Sequence, residues 1–294
     1  MHLSNALKDL HKKQFKLENK TRKNALLSNK TKDKIFSIIC IGFGLFGTAL
    51  LLFIIACLFY KGLSGFSIEL FTLPTAFGGL ANAILGQVIL VLLASIIGLI
   101  IGSFGGIFIS EYVKSSKTQH FLKCLIEILL STPSIIVGVF IYACVVSVMG
   151  AYSGLAGSFA LGFIMICLVA KTFFDALSDV SPKLKEASFA LGANKRQVIM
   201  GVMLANARPA LITGVILGVA RIAGESAPLL FTNANNDFFS FDIFSSLPSL
   251  SVSIYEFSLS SDESLQNAAW SGALILLLLV LGANIASKIA FLRK

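Results

Sequence analysis

The chain has 294 residues, of which 56% are hydrophobic and only 13% charged, with a formal net charge of +9 and a mean hydropathy of +0.85. A soluble domain carries about 25% charged residues, so an ordinary water-soluble fold is excluded. A nucleic-acid binder is excluded too: ten of the 24 Lys and Arg residues precede Ile35, and most of the others flank apolar runs rather than forming one basic stripe.

The chain opens on a basic tail, residues 1–34, in which Leu3, Leu7 and Leu10 recur at helical spacing among lysines. Two readings fit it: a solvated tail that sets orientation, or an amphipathic helix on anionic headgroups. Six apolar runs follow, at about 35–60, 80–109, 125–149, 155–174, 210–231 and 268–290. A span needs roughly 20 mostly apolar residues, and backbone groups in lipid must be satisfied within their own segment. The pattern predicts an all-α, polytopic bundle of six transmembrane helices. Gly98, Gly102, Gly105 and Gly106 in the second run suit close helix approach.

Charge orients the bundle. With the N-terminus inside, 22 of the 24 bases fall on the cytoplasmic side, Lys61 lies outside and Arg221 lies within a span. Both termini are therefore expected in the cytoplasm. The segment 232–265, expected outside, holds no base but carries Asp237, Asp242, Glu256, Asp262 and Glu263. Cys40, Cys57, Cys144 and Cys167 read as small buried hydrophobes, and neither they nor the three histidines have metal-ligand spacing. No metal site is expected.

Three segments carry more than hydropathy. In the third run, Ser131, Thr132 and Ser134 surround Pro133, either as pore lining or as a packed kink. The cytoplasmic stretch 175–208 begins a short helix at Ser181-Pro182, ends it at Gly192 and can restart at Asn194. Leu184, Ala187 and Leu191 make that helix amphipathic, as a docking element would be. In the fifth run Arg221 and Glu225 are spaced i, i+4 on a stripe with Gly214, Gly218 and Pro228. A central Arg costs at least about 2.5–3.5 kcal/mol in a bilayer. It is either neutralised by Glu225 as bundle packing or meets an anion in transit, which a guanidinium can hold bidentately.

Glu186-Ala187-Ser188, three residues, then Gly192 resembles the EAA loop of ABC-importer permeases. The Leu-Pro that usually follows is replaced by Leu204-Ala205, so the next helix is free to run on unbroken. The stretch from Ala220 to Thr232, Ala-Arg-Ile-Ala-Gly-Glu-Ser-Ala-Pro-Leu-Leu-Phe-Thr, resembles the signature of PstA-type permeases of phosphate ABC importers. Ile107-Phe108-Ile109-Ser110-Glu111-Tyr112, Pro133-Ser134-Ile135-Ile136-Val137-Gly138 and Ala268-Ala269-Trp270-Ser271-Gly272 resemble further stretches of that family.

The resemblance implies a type I ABC permease domain over 78–290 behind a separate first helix, in a bacterial inner membrane. It implies a transport subunit rather than an enzyme: half of a phosphate pathway through Arg221 and Glu225, with Glu186, Ala187 and Gly192 in a coupling helix. The implied partners are a PstC-type sister permease, two PstB-type ATPase subunits and an external PstS-type phosphate-binding protein. This chain has no Walker A sequence, so ATP and Mg are expected on the ATPase subunits and no cofactor on this chain. Another oxyanion such as sulfate or molybdate, or a stand-alone channel, is the alternative.

Overall fold

The computed structural model describes residues 34–292, so the readings of the basic tail lie outside the described residues. The chain divides into two compact units, Met1–Cys57 and Leu58–Lys294. The described part of the first is most of an apolar helix, α1 (Lys34–Ser64), whose last residues belong to the second unit.

The second unit is built on α2 (Ala81–Ile107), α3 (Ser116–Ser131), α4 (Ser134–Ile141), α5 (Gly154–Ser178), α6 (Pro182–Ala190), α7 (Leu204–Ala223), α8 (Ala227–Thr232), α9 (Leu250–Ser258) and α10 (Glu263–Leu292). Among the described residues, five helices are long and apolar enough to cross a membrane. A sixth crossing exists if Ser116–Ser131 and Ser134–Met149 count as one span, bent by 97°.

That bend has a local cause. Pro133 has no N–H, and it forces Thr132 into extended backbone at φ −66°, ψ 133°. The carbonyls it would have used do not go bare. Ser131 and Thr132 both donate their hydroxyls to the Ile128 carbonyl at 2.9 Å, and the Thr132 N–H reaches the Ile128 and Leu129 carbonyls.

Helix α5 is the centre of the unit, and α2 lies along it. A Cβ on Gly102 would stand 2.7 Å from Val169 Cβ, one on Gly106 2.5 Å from Phe173 Cβ, and one on Gly98 would strike Met165. These three are spaced i, i+4, i+8 and make one seam. Gly105 stands off it, with its nearest neighbour, Ala170, at 3.9 Å. Lipid tails are as apolar as leucine, so helices in a bilayer gain little from leaving them; close contact supplies the attraction instead. The core then continues through Leu90, Leu161, Met165, Val169, Ile222 and Leu229. Of the cysteines in this unit, Cys167 is buried, but Cys144 is exposed and Cys124 only half-buried, so the expectation of burial holds for Cys167 alone among them.

The two ends of the unit differ. At the basic end, α6 starts at Ser181-Pro182, and Gly192 follows it with φ +85°. Asn194 then forms a reciprocal capping box with Gln197. From Lys195 the helix continues to Ala223, passing through a π-helical stretch at Val198–Met203. The missing proline of the loop pattern thus leaves that junction helical.

At the acidic end, the segment expected to be a simple outer loop folds back into the bundle. Asn233 accepts the Leu247 N–H at 2.9 Å and donates to the Leu247 carbonyl at 2.7 Å, as a strand neighbour would. Asn235 accepts from the Ser249 N–H, and α9 buries Leu250 and Phe257 against α10 while its Val252 joins the main core.

Candidate anion pathway and coupling loop

The fifth apolar run is not one helix, which corrects the expected stripe. Helix α7 ends at Ala223 and α8 starts only at Ala227. Pro228 cannot donate to the Gly224 carbonyl, and its ring would clash with it, while Gly224 is itself a poor helix former. The last turn tightens instead, with the Gly224 N–H on the Arg221 carbonyl and the Glu225 N–H on that of Ile222. Arg221 therefore sits in the terminal turn of α7 and Glu225 in the break beyond it.

This separates the roles of the stripe. Gly214 and Gly218 face α5, where a Cβ would run into Thr172 and crowd Met165 and Leu168. Pro228 belongs to α8 and faces α4: a Cβ on Gly138 would meet Pro228 Cα at 2.7 Å.

Arg221 Nε lies 3.8 Å from Glu225 Oε1, with the two side chains 43% and 20% exposed. At that distance the pair is electrostatic and not a hydrogen bond. Arg221 also borders a small cleft with Thr132, Ser134, Val137, Phe163, Ile164 and Cys167. The proline break and the α7 terminus thus bring two hydroxyl-bearing residues to one arginine. Ser131 does not line the cleft; its hydroxyl and that of Thr132 are both turned back to the Ile128 carbonyl, so Thr132 borders the cleft with a hydroxyl already committed and Ser134 brings the other. The cleft holds about 10 Å³, room for about one water, so an oxyanion requires α4 and α7 to part.

A larger groove of about 540 Å³ runs between α2, α7 and α10, past Val91, Val215, Ile216 and Leu279. Its polar lining residues are Gln87 and Asn284, and an oxyanion there would lack charged donors. The arginine cleft, though small, has the right chemistry.

Glu186 and Ala187 lie on α6 and Gly192 in the turn after it, all exposed or partly so. The residues of the expected amphipathic stripe are exposed: Leu191 is 89% exposed, and Leu184 and Ala187 are exposed with it, as is Phe189 beside them. The loop is anchored from beneath. Lys185 Nζ lies 2.7 Å from Glu111 Oε1, and Lys195 Nζ donates to the Glu111 carbonyl at 2.6 Å while sitting 4.0 Å over the Tyr112 ring. The stretch 107–112 is legible as a family-like motif, but nothing in it places Glu111 beneath the loop; that contact depends on packing.

Glu127, in α3, pairs with Lys171 of α5 at 2.6 Å, and Lys123 and Asp175 join them in one surface network.

Residues 98–291 match the family described as binding-protein-dependent transport system inner membrane component. The phosphate transport system permease protein PstA of Yersinia pestis is 38% identical over 283 residues, covering 95% of each chain. That of Haemophilus influenzae is 39% identical over 272 residues, covering 90% of this chain and 95% of its own. A probable PstA of Methanocaldococcus jannaschii is 32% identical over 267 residues, covering 88% and 93%. Among solved structures, the inward-facing MetNI methionine ABC transporter aligns with a TM-score of 0.61 at 19% identity, covering 72% of this chain and 94% of that one; at that identity it speaks for the fold alone. The chain is thus a multi-pass membrane protein of the binding-protein-dependent transport system inner membrane component family, and within it belongs to the PstA-type permeases.

Proposed function

We propose that this chain is the permease subunit of an ATP-driven phosphate importer, forming half of the translocation pathway beside a PstC-type sister permease. Two PstB-type ATPase subunits, which bind the ATP and Mg, drive it, and an external PstS-type protein delivers phosphate. The basic end faces the cytoplasm of a bacterial inner membrane together with both termini; the 22 bases on that side support this orientation.

The observation that carries the reading is the group of Arg221, Thr132 and Ser134 around one cleft, with Glu225 loosely paired beside it. A guanidinium and hydroxyls are donors that suit an oxyanion. Glu225 neutralises the arginine when the path is empty, and its negative charge opposes long residence of the anion. The exposed Leu184 and Phe189 of α6, with Leu191 just after it, supply the surface on which an ATPase subunit acts; Glu111, Lys185 and Lys195 carry its motion to α2. Rocking of the spans would then open the cleft alternately to each side.

The test is co-purification of the tagged chain with its partners, followed by phosphate-stimulated ATP hydrolysis and uptake in liposomes. Phosphate should stimulate both, and sulfate or molybdate should not compete. Stimulation by one of those anions in place of phosphate would reassign the substrate. Uptake that persists with an ATPase-dead partner would make the chain a channel.

A further inference from the structure

The turn that carries Arg221 and Glu225 is held by a side chain outside the signature. Gln87, in α2, is 3% exposed. Its amide Nε2 donates to the Ala223 carbonyl at 2.9 Å, one of the carbonyls left without a partner where α7 stops. Its Oε1 accepts from the Ser249 hydroxyl at 2.9 Å and from the Ser251 N–H at 3.3 Å. The Ser251 hydroxyl has one proton and three acceptors in range, the Glu225 carbonyl at 3.0 Å, Ser249 Oγ at 3.2 Å and Gln87 Oε1 at 3.4 Å. The shortest contact takes it, and with the Ser249 proton on Gln87 all four bonds can exist at once.

We infer that Gln87 is a positioning residue of the anion pathway: with Ser249 and Ser251 it fixes the Ala223–Glu225 turn to the segment leading into α9, and so sets where Arg221 and Glu225 stand. The inference rests on the phosphate reading given above. Three observations support it together.

The amide is buried and bonded through both its ends, so rotating or removing it strands several polar groups at once. Its partners come from separate elements, the α7–α8 break and the start of α9, which it joins to α2. Two bonds of the network end on the backbone of the break itself, at Ala223 and Glu225. A shift of the Ser249–Ser251 segment, which continues from the acidic end, is therefore transmitted to the turn beside Arg221.

The neighbouring buried hydroxyl provides the control. Ser253 lies on the same helix and is fully buried, but it accepts from Asn235 Nδ2 at 3.2 Å and makes no hydrogen bond to the turn. The test uses the complete importer in liposomes with radiolabelled inorganic phosphate, and reads phosphate taken up per ATP hydrolysed. A complex that is merely less stable loses active copies but keeps this ratio.

Ser251→Ala is expected to lower the ratio about fivefold and Gln87→Leu about tenfold or more, as losses of one and of several hydrogen bonds. Ser253→Ala should leave the ratio at the parent value. Equal effects of Ser251→Ala and Ser253→Ala, or an unchanged ratio in Ser251→Ala, overturn the inference. Should Gln87→Leu fail to assemble, the two serine variants decide alone. A parent complex that takes up no phosphate sinks the functional reading and this inference with it, whereas phosphate uptake with equal serine variants sinks only the inference.

Discussion

Lys185 Nζ and Glu111 Oε1 stand 2.7 Å apart, with the glutamate side chain only 12% exposed, and this contact joins α6 to the end of the second membrane helix. A shielded charge pair resists water and salt better than a surface one. Glu111→Gln should cost about 1–2 kcal/mol of loop anchoring and speed protease cleavage within residues 182–195. Cleavage at the parent rate would show that Lys195 and Tyr112 hold the loop without the charge.

The hydroxyls around Pro133 divide into two classes. Ser134→Ala removes a hydroxyl that borders the Arg221 cleft and should lower phosphate uptake by several-fold, roughly the worth of one hydrogen bond. Ser131→Ala and Thr132→Ala should not, because the two hydroxyls donate to the same Ile128 carbonyl and either can serve it alone. Arg221→Gln should abolish most uptake while insertion and assembly persist, since the side chain is neither buried nor tightly bonded. Initial rates of the four variants in liposomes, each normalised to assembled complex, provide the measurement.

Gly192 has φ +85°, yet a Cβ there would meet nothing within 4 Å. Crowding, one of the reasons to expect harm from a side chain at this position, is therefore absent, and the backbone conformation is what remains. Gly192→Val should cost about 1–2 kcal/mol in the turn and Gly192→Asn less. Co-purification of ATPase subunits should weaken in that order; equal retention by Val and Asn would mean the left-handed turn is dispensable.

The glycine seam permits a matched pair of variants. Gly102→Ala places a methyl 2.7 Å from Val169 Cβ, whereas Gly105→Ala adds one at 3.9 Å from its nearest neighbour. The first should destabilise by about 1–3 kcal/mol through overpacking, and the second should be near neutral. Thermal unfolding of the detergent-solubilised complex separates them, and equal midpoints would contradict the seam.

Asp262 caps the start of α10, accepting the Ser264 N–H at 2.8 Å. Hydrogen bonding from Ser264, through its hydroxyl and then its N–H, holds the carboxyl below the ordinary value of 3.8. A depressed folded value means the cap stabilises fully above the unfolded value and is lost as pH falls through the lower folded one. Amide exchange at Ser264 and Leu265 should accelerate below about pH 4 in the parent, and this step should be missing in Asp262→Ala. A step of the same size in the variant would assign it elsewhere.

Much of this protein is legible in the order of its residues. Hydropathy runs locate the spans because lipid tolerates only segments that satisfy their own backbone. The Ser181-Pro182, Gly192 and Asn194 punctuation locates α6 because capping is local chemistry. The break in the fifth run is harder to see, although Gly224 and Pro228 both stand in it. The i, i+4 spacing of Arg221 and Glu225 points to a continuous helix, and the chain instead interrupts it between them.

Residue type and order alone specify an all-α, polytopic membrane protein with one arginine that needs a partner or a wet cavity, since hydropathy and burial cost need no knowledge of contacts. Packing settles the rest: which side chains meet that arginine, that the segment before α9 returns to the bundle, and that Gln87 fastens the turn. Those facts depend on residues far apart in the chain, and Gln87 and Ala223 are separated by 136 positions. No local periodicity encodes such a meeting; it exists only once the helices have packed.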